Sequence, residues 1–207
     1  FLIAFLIVGG GCRTAYYGMW ERLGKHKRDL LKDRVEDARD GQQAAAEQFK
    51  DALERVRELS GFDGGELEKT YRRLAAEYEQ CETRATAVRQ RIDAVERVAA
   101  DLFAEWESEI EQIGNASLRS RSRQTLQETK KRYESLRSSM RRAEAAMEPV
   151  LSQLQDQVLF LKHNLNARAV GALRSEVTGI EADVDRLISD MQRAIDEAES
   201  FIRTLQD

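Results

Sequence analysis

Residues 67–113 read LEKTYRRLAAEYEQCETRATAVRQRIDAVERVAADLFAEWESEIEQI. An apolar or small residue returns every three or four positions: Leu67, Tyr71, Leu74, Tyr78, Cys81, Ala85, Val88, Ile92, Val95, Ala99, Leu102 and Trp106, then, after a one-position slip, Ile110 and Ile113. Alternating steps of four and three hold these residues on one stripe of a helix, and a stripe this long describes a coiled-coil or long-bundle helix. Neither Gly nor Pro interrupts it. At about 1.5 Å per residue such a helix is roughly 70 Å long, so its neighbours must be comparable rods.

The flanking sequence supplies those neighbours. Upstream, Leu31, Val35, Ala38, Gln42, Ala45, Phe49, Ala52, Val56 and Leu59 repeat the step, with Gln42 the one polar intruder. A first helix is predicted from about Arg13 or Tyr16 to Leu59, and the buried Gln is read as a register device. Gly61, Asp63, Gly64 and Gly65 make a turn, with Asp63 placed to cap the next helix. A second turn at Gly114, Asn115 and Ser117 offers Ser117 as an N-cap. A third helix carries Leu126, Thr129, Tyr133, Leu136, Met140, Ala143, Met147, Leu151, Leu154, Val158, Leu161 and Leu165, and is expected to kink at Pro149 without ending there. Between His163 and Gly171 the two Asn and the Gly suggest a turn, while Ala167, Ala169 and Val170 suit a continuing helix. A last helix uses Leu173, Val177, Ile180, Val184, Leu187, Met191, Ala194, Ala198, Phe201 and Leu205. Short turns make consecutive helices antiparallel neighbours. The expected fold is therefore all-α, an elongated antiparallel coiled-coil-like bundle of four helices, or of three if the last two are continuous.

Composition suits solvated rods. One Pro in 207 residues, 34% charged and 7% aromatic residues fit long amphipathic helices, and a mean hydropathy of −0.59 excludes a polytopic membrane protein. Phe1 to Val8 is an unbroken apolar run, followed by Gly9, Gly10, Gly11 and Cys12. That layout predicts a bacterial lipoprotein signal over residues 1–11, truncated at its start, with Cys12 the lipidation site and residues 12–207 a single long bundle domain. Gly9 stands where Leu is usual in such a signal; the alternatives are an uncleaved anchor and a chance apolar end. Eight apolar residues are too few to span a bilayer. Arg13 rather than Asp after the Cys points to the outer membrane, on its periplasmic face.

Folding the hairpins back sets Trp106 opposite Trp20 and near Gln124. The amino end and the turn at 114–117 then share one pole; the turns at 60–65 and 166–172 share the other. Charge follows this geometry. Arg22, Lys25, Lys27, Arg28, Lys32 and Arg34 face only Asp29 and Asp33, and between Asn115 and Arg142 nine bases face Glu128 and Glu134. The second helix ends instead with Glu105, Glu107, Glu109 and Glu111. Besides nucleic acid, which a secreted lipoprotein would rarely meet, two readings are open. These acids meet the arginines across the hairpin, in exposed pairs of about 0.2–1 kcal/mol each. Alternatively Arg22, Lys25, Lys27, Arg28, Arg119, Arg121 and Arg123 contact an anionic surface, at about 1 kcal/mol per basic residue close to headgroups.

No catalytic, cofactor-binding or metal-ligating set is legible. His26 and His163 are the only histidines and fall at opposite poles, so they cannot share a metal or a proton relay. Cys81 lies on the core stripe and reads as a buried small apolar residue. Asn115-Ala-Ser117 matches a glycosylation sequon but reads as turn chemistry in a bacterial chain. The chain is expected to be no enzyme, to need no cofactor and to bind no nucleic acid.

Gly24-Lys25-His26-Lys27-Arg28-Asp29, followed by Leu31, Arg34, Val35, Ala38, Arg39, Asp40 and Gln42, resembles the opening signature of a bacterial domain-of-unknown-function family of helical, lipoprotein-like envelope proteins. The stretch Leu159-Phe-Leu-Lys-His-Asn-Leu-Asn-Ala167 is similar to that family as well. The resemblance implies a helical envelope protein and carries no catalytic residue across. The expected function is a membrane-tethered lipoprotein, fixed through Cys12, that serves as a structural or protein-interaction rod with other envelope proteins or a second copy of itself as partners. The alternative is a periplasmic chaperone-like module that binds client chains or lipid. A client-binder needs an exposed apolar groove of several hundred Å², whereas a spacer buries its stripes and presents partners at a pole.

Overall fold

In a computed structural model the backbone is described for residues 11–61 and 67–206, and side chains for 27–61, 67–166 and 170–205. Among the described residues five helices follow one another: α1 (Gly11–Ser60), α2 (Leu67–Gln112), α3 (Ala116–His163), α4 (Ala167–Arg174) and α5 (Val177–Gln206). No strand occurs among the described residues. At 50, 46 and 48 residues the three long helices are about 69–75 Å each, and the 30 residues of α5 cover about 45 Å. α1 packs against α2 and α5, and α3 packs against the same two, which closes a ring of four antiparallel neighbours. The expected four-helix bundle is therefore present, with α4 as a short extra turn-unit that touches α1 and α3. Among the described residues no helix is long and apolar enough to cross a membrane.

The stripes form the core. Leu74, Cys81, Ala85, Val88, Ile92, Val95, Ala99, Leu102 and Ile110 of α2 are buried against Leu31, Val35, Ala45, Phe49 and Val56 of α1, the α3 stripe from Leu126 to Leu161, and Ile180 to Phe201 of α5. Many mid-rod positions are small, so the backbones approach closely. Gly41 of α1 is one such point: a Cβ there would run into the Arg91 side chain lying across from α2. Toward the end of α5 the core turns aromatic, with Phe103 edge-on to Tyr133 at 5.3 Å and Tyr133 tilted against Phe201 at 6.0 Å. Cys81 is buried, its Sγ 3.6 Å from the Gln48 carbonyl oxygen, and burial pushes its thiol up to about 12.

Polar contacts set the register. Gln48 donates to Glu77 at 2.6 Å between α1 and α2, and Arg141 of α3 holds Asp93 at 2.7 Å and Glu96 at 2.6 Å on α2 while also pairing with Glu144 at 2.7 Å on its own helix. Gln42 is buried as expected, and both of its amide atoms lack a hydrogen-bond partner among the described residues.

Three expectations need correction. Asn115, not Ser117, caps α3: its Oδ1 accepts from the Ser117 and Leu118 backbone N–H groups at 3.0 and 3.1 Å. Asn115 directly precedes the first helical residue, Ala116, so its side chain reaches the free amides of the first turn, whereas Ser117 already lies inside the helix. The last helix does not begin at Leu173. Leu173 is buried in α4, and a break at residues 175–176 precedes α5; Ser175 caps by donating to the Ala172 carbonyl at 2.7 Å. Leu165, placed on the core stripe by its spacing, is exposed because α3 has already ended at His163. There Asn164 donates its backbone N–H to the Leu161 carbonyl at 3.1 Å and its side-chain amide to the Phe160 carbonyl at 2.9 Å, so the last carbonyls are satisfied without a further turn. α3 does pass through Pro149 unbroken. The signal segment before Gly11, the side chains of Cys12, Trp20, Arg22, Lys25 and His26, and the Asp63 cap lie outside the described residues.

Candidate functional site

The two poles are where helices end and where surface chemistry departs from the charged flank. At the near pole α2 turns into α3. Trp106 donates its indole N–H to Ser122 Oγ at 3.1 Å, two residues from the position given by counting back from the turn. Arg119 donates to the Ile113 and Gly114 carbonyls at 2.9 and 3.4 Å, which covers the carbonyl end of α2. Arg123 pairs with Glu111 at 2.8 Å, and Lys130 with Glu107 at 2.5 Å. The hydrogen bond from Arg123 holds the Glu111 carboxyl below the usual carboxylate range. Lys27 of α1 lies 3.0 Å from Glu105. Glu111 and Glu107 thus meet bases of α3 across the hairpin, Glu105 meets Lys27 of α1 instead, and Glu109 is in no ion pair among the described residues, so the hairpin-pairing reading holds for two of the four acids.

The basic residues singled out for an anionic surface divide into three groups. Arg119, Arg123 and Lys27 are engaged as above. Arg121 and Arg28 are exposed and make no ion pair among the described residues, while the side chains of Arg22 and Lys25 lie outside them. Arg28 rims a cavity of about 350 Å³ with Leu102, Glu105, Trp106, Glu109 and Thr129, where α5 runs out. Partial burial, then the neighbouring Glu105, pushes the Glu109 carboxyl upward. Leu118, 56% exposed, adds an apolar residue to this pole.

At the far pole α1 ends beside α4 and α5. Arg57 pairs with Glu181 at 2.6 Å, and Arg174 donates to the Ser60 carbonyl, so the α1 terminus is tied to the α4–α5 connection. His163 is exposed in the last turn of α3. The same end of α3 exposes Leu159 and Phe160, with Leu165 just beyond. An open cavity of about 590 Å³ lies between α3, α4 and α5, lined by Asp156, Gln157, Phe160, Leu173, Glu176 and Gly179, with Gln153 and Ala172 at its edge. Gln157 is only 4% exposed, and its Oε1 has no hydrogen-bond partner among the described residues.

Sequence reading overlooked this groove. Its signal was the run Val158-Leu159-Phe160-Leu161, in which four consecutive apolar residues occupy a helix that offers only one or two core positions per turn. Gln157 was hidden by the stripe, which selects Val158; the structure buries Gln157 and leaves Val158 half-buried.

Three long helices and the shorter α5, packed antiparallel around buried stripes, define an elongated all-α bundle with unlike ends. The chain belongs to the family described as Protein of unknown function (DUF2959), which matches residues 16–205. No curated protein and no solved structure matches it.

Proposed function

We propose that the chain is a membrane-tethered lipoprotein of the bacterial envelope, anchored through Cys12 at the near pole, that acts as a structural and protein-interaction rod. One observation carries the reading: the large apolar side chains exposed among the described residues, Leu118, Leu159, Phe160 and Leu165, all sit at the poles, while the flank is charged. A rod that holds partners apart needs inert sides and adhesive ends. A client-binding module would instead need an apolar groove along the flank, where the stripes are closed. In this reading Cys12 carries the acyl chains and Arg121 and Arg28 face headgroups. Arg13 after the Cys directs the chain to the outer membrane, and no catalytic step is assigned. Several acyl chains on Cys12 anchor stably by themselves, and the basic pole adds attraction to anionic headgroups.

The test is the anchor. Cys12→Ser should abolish labelling by a palmitate analogue and move the protein from the membrane to the soluble fraction. Unlabelled wild type together with a membrane-bound variant would overturn the reading.

A further inference from the structure

We infer that the far-pole groove between α3, α4 and α5 is a docking site for a protein segment that carries a large apolar side chain next to Lys or Arg. The inference rests on the rod reading and names the chemistry of the partner held at the end away from the anchor.

The groove has an apolar floor and an acidic rim. Phe160 and Leu173 supply apolar surface, and Gly179 leaves space that no side chain fills, since a Cβ there would meet nothing within 4 Å. Asp156 and Glu176 stand on its two sides, both exposed and neither in an ion pair among the described residues. A partner bearing carboxylates or phosphates would be repelled, so a lipid headgroup is disfavoured and a cationic flank is selected. Buried Gln157 adds a second, independent sign. Its Oε1 is withdrawn from water and accepts from nothing described, so a turn of the amide toward the groove would let a bound donor such as a backbone N–H or an ammonium relieve that cost. Leu159 and Leu165 are exposed at the same end of the rod. An apolar anchor inserted between Phe160 and Leu173, with a base at each carboxylate, satisfies all of these groups at once.

The full chain carrying Cys12→Ser is titrated with two synthetic peptides, one with a Leu-Phe pair flanked by lysines and one with the same pair flanked by glutamates. The lysine peptide should bind at the far pole and perturb Phe160 and Gly179 resonances; the glutamate peptide should not. Asp156→Asn with Glu176→Gln should weaken lysine-peptide binding by up to roughly fivefold per carboxylate and erase the preference between peptides. Both positions are exposed, so an unchanged melting temperature is expected. Gln157→Leu should weaken binding while raising the melting temperature, because an unpartnered buried amide is removed. Equal binding of both peptides, a preference that survives neutralisation of the two carboxylates, or perturbation confined to self-association at rising protein concentration would overturn the proposal. Failure here leaves the Cys12 anchor untouched, and loss of the anchor leaves peptide binding intact, so the two readings fail separately.

Discussion

The near and far poles are both places where long helices stop, and they solve that problem to different degrees. At the near pole the exposed backbone groups are taken up by side chains: Asn115 caps α3, Arg119 covers the Ile113 and Gly114 carbonyls, and Arg123 and Lys130 reach back to Glu111 and Glu107. At the far pole Asn164 and Arg174 satisfy the backbone as well, yet Phe160, Leu159 and Leu165 remain in water and Gln157 keeps an idle acceptor. What is left over differs between the ends: exposed bases and Leu118 at the near pole, a cluster of exposed apolar side chains and an unpartnered buried amide at the far one. Exposed apolar surface and an unpartnered buried acceptor both cost free energy in the free protein.

The largest expected effect comes from attacking the body on which both poles depend. Phe201→Ala removes the ring that packs on Tyr133 near the end of α5 and should cost about 3–5 kcal/mol, read by chemical denaturation. Loss of less than about 1 kcal/mol would mean that α5 is not integral to the bundle, which removes the far-pole groove as well. A smaller change sharpens the contrast. Asn115→Ala deletes the cap on α3 and should cost about 1 kcal/mol, with faster hydrogen exchange in the turn around Ile113 and Leu118 and no change near Phe160. Equal acceleration at both poles would show that the ends are coupled rather than independent. The smallest effect separates two neighbouring arginines. Arg121→Gln in the Cys12→Ser chain should weaken binding to anionic phosphatidylglycerol vesicles by about fivefold at low salt and leave the melting temperature unchanged. Arg119→Gln should lower stability by about 0.5–1.5 kcal/mol through the lost bonds to the Ile113 and Gly114 carbonyls. If the two substitutions exchange effects, the division of the basic pole is wrong.

Much of the fold was legible because one physical rule dominates it. The four-three spacing named nearly every buried residue of α2, from Leu74 to Ile110, and short turns left antiparallel packing as the only economical arrangement. Phe103 was missed, since the stripe carried Leu102 and an ideal helix drifts against a strict heptad, so two adjacent positions share the core where the step slips. The same drift explains Gln157 taking the place expected for Val158. The α4–α5 break was illegible for a different reason. Val170 and Leu173 are both buried, so the spacing reads as continuous while the chain is turning; the stop at His163 depends on Asn164 bonding back to Phe160 and Leu161, which spacing does not encode. At the candidate sites, clustering of like charge was visible, but partner choice was not. Arg119, Arg121 and Arg123 alternate along the sequence, and only the packed turn decides which of them is spent on carbonyls, which on Glu111 and which faces outward.

The ring of four antiparallel neighbours also fixes how the molecule carries force. A pull applied between the first turn of α1 and Phe160 at the end of α3 drags α1 toward one pole and α3 toward the other, and α2 and α5 stand between them on both sides. Neither intermediate can be peeled away turn by turn, because the load lies parallel to the helix axes. The interlocked side chains along about 45 Å of α5 must slide together. Pulled lengthwise the rod resists as a lap joint does, whereas the same bundle opened sideways at the 114–115 hairpin would part like a zip.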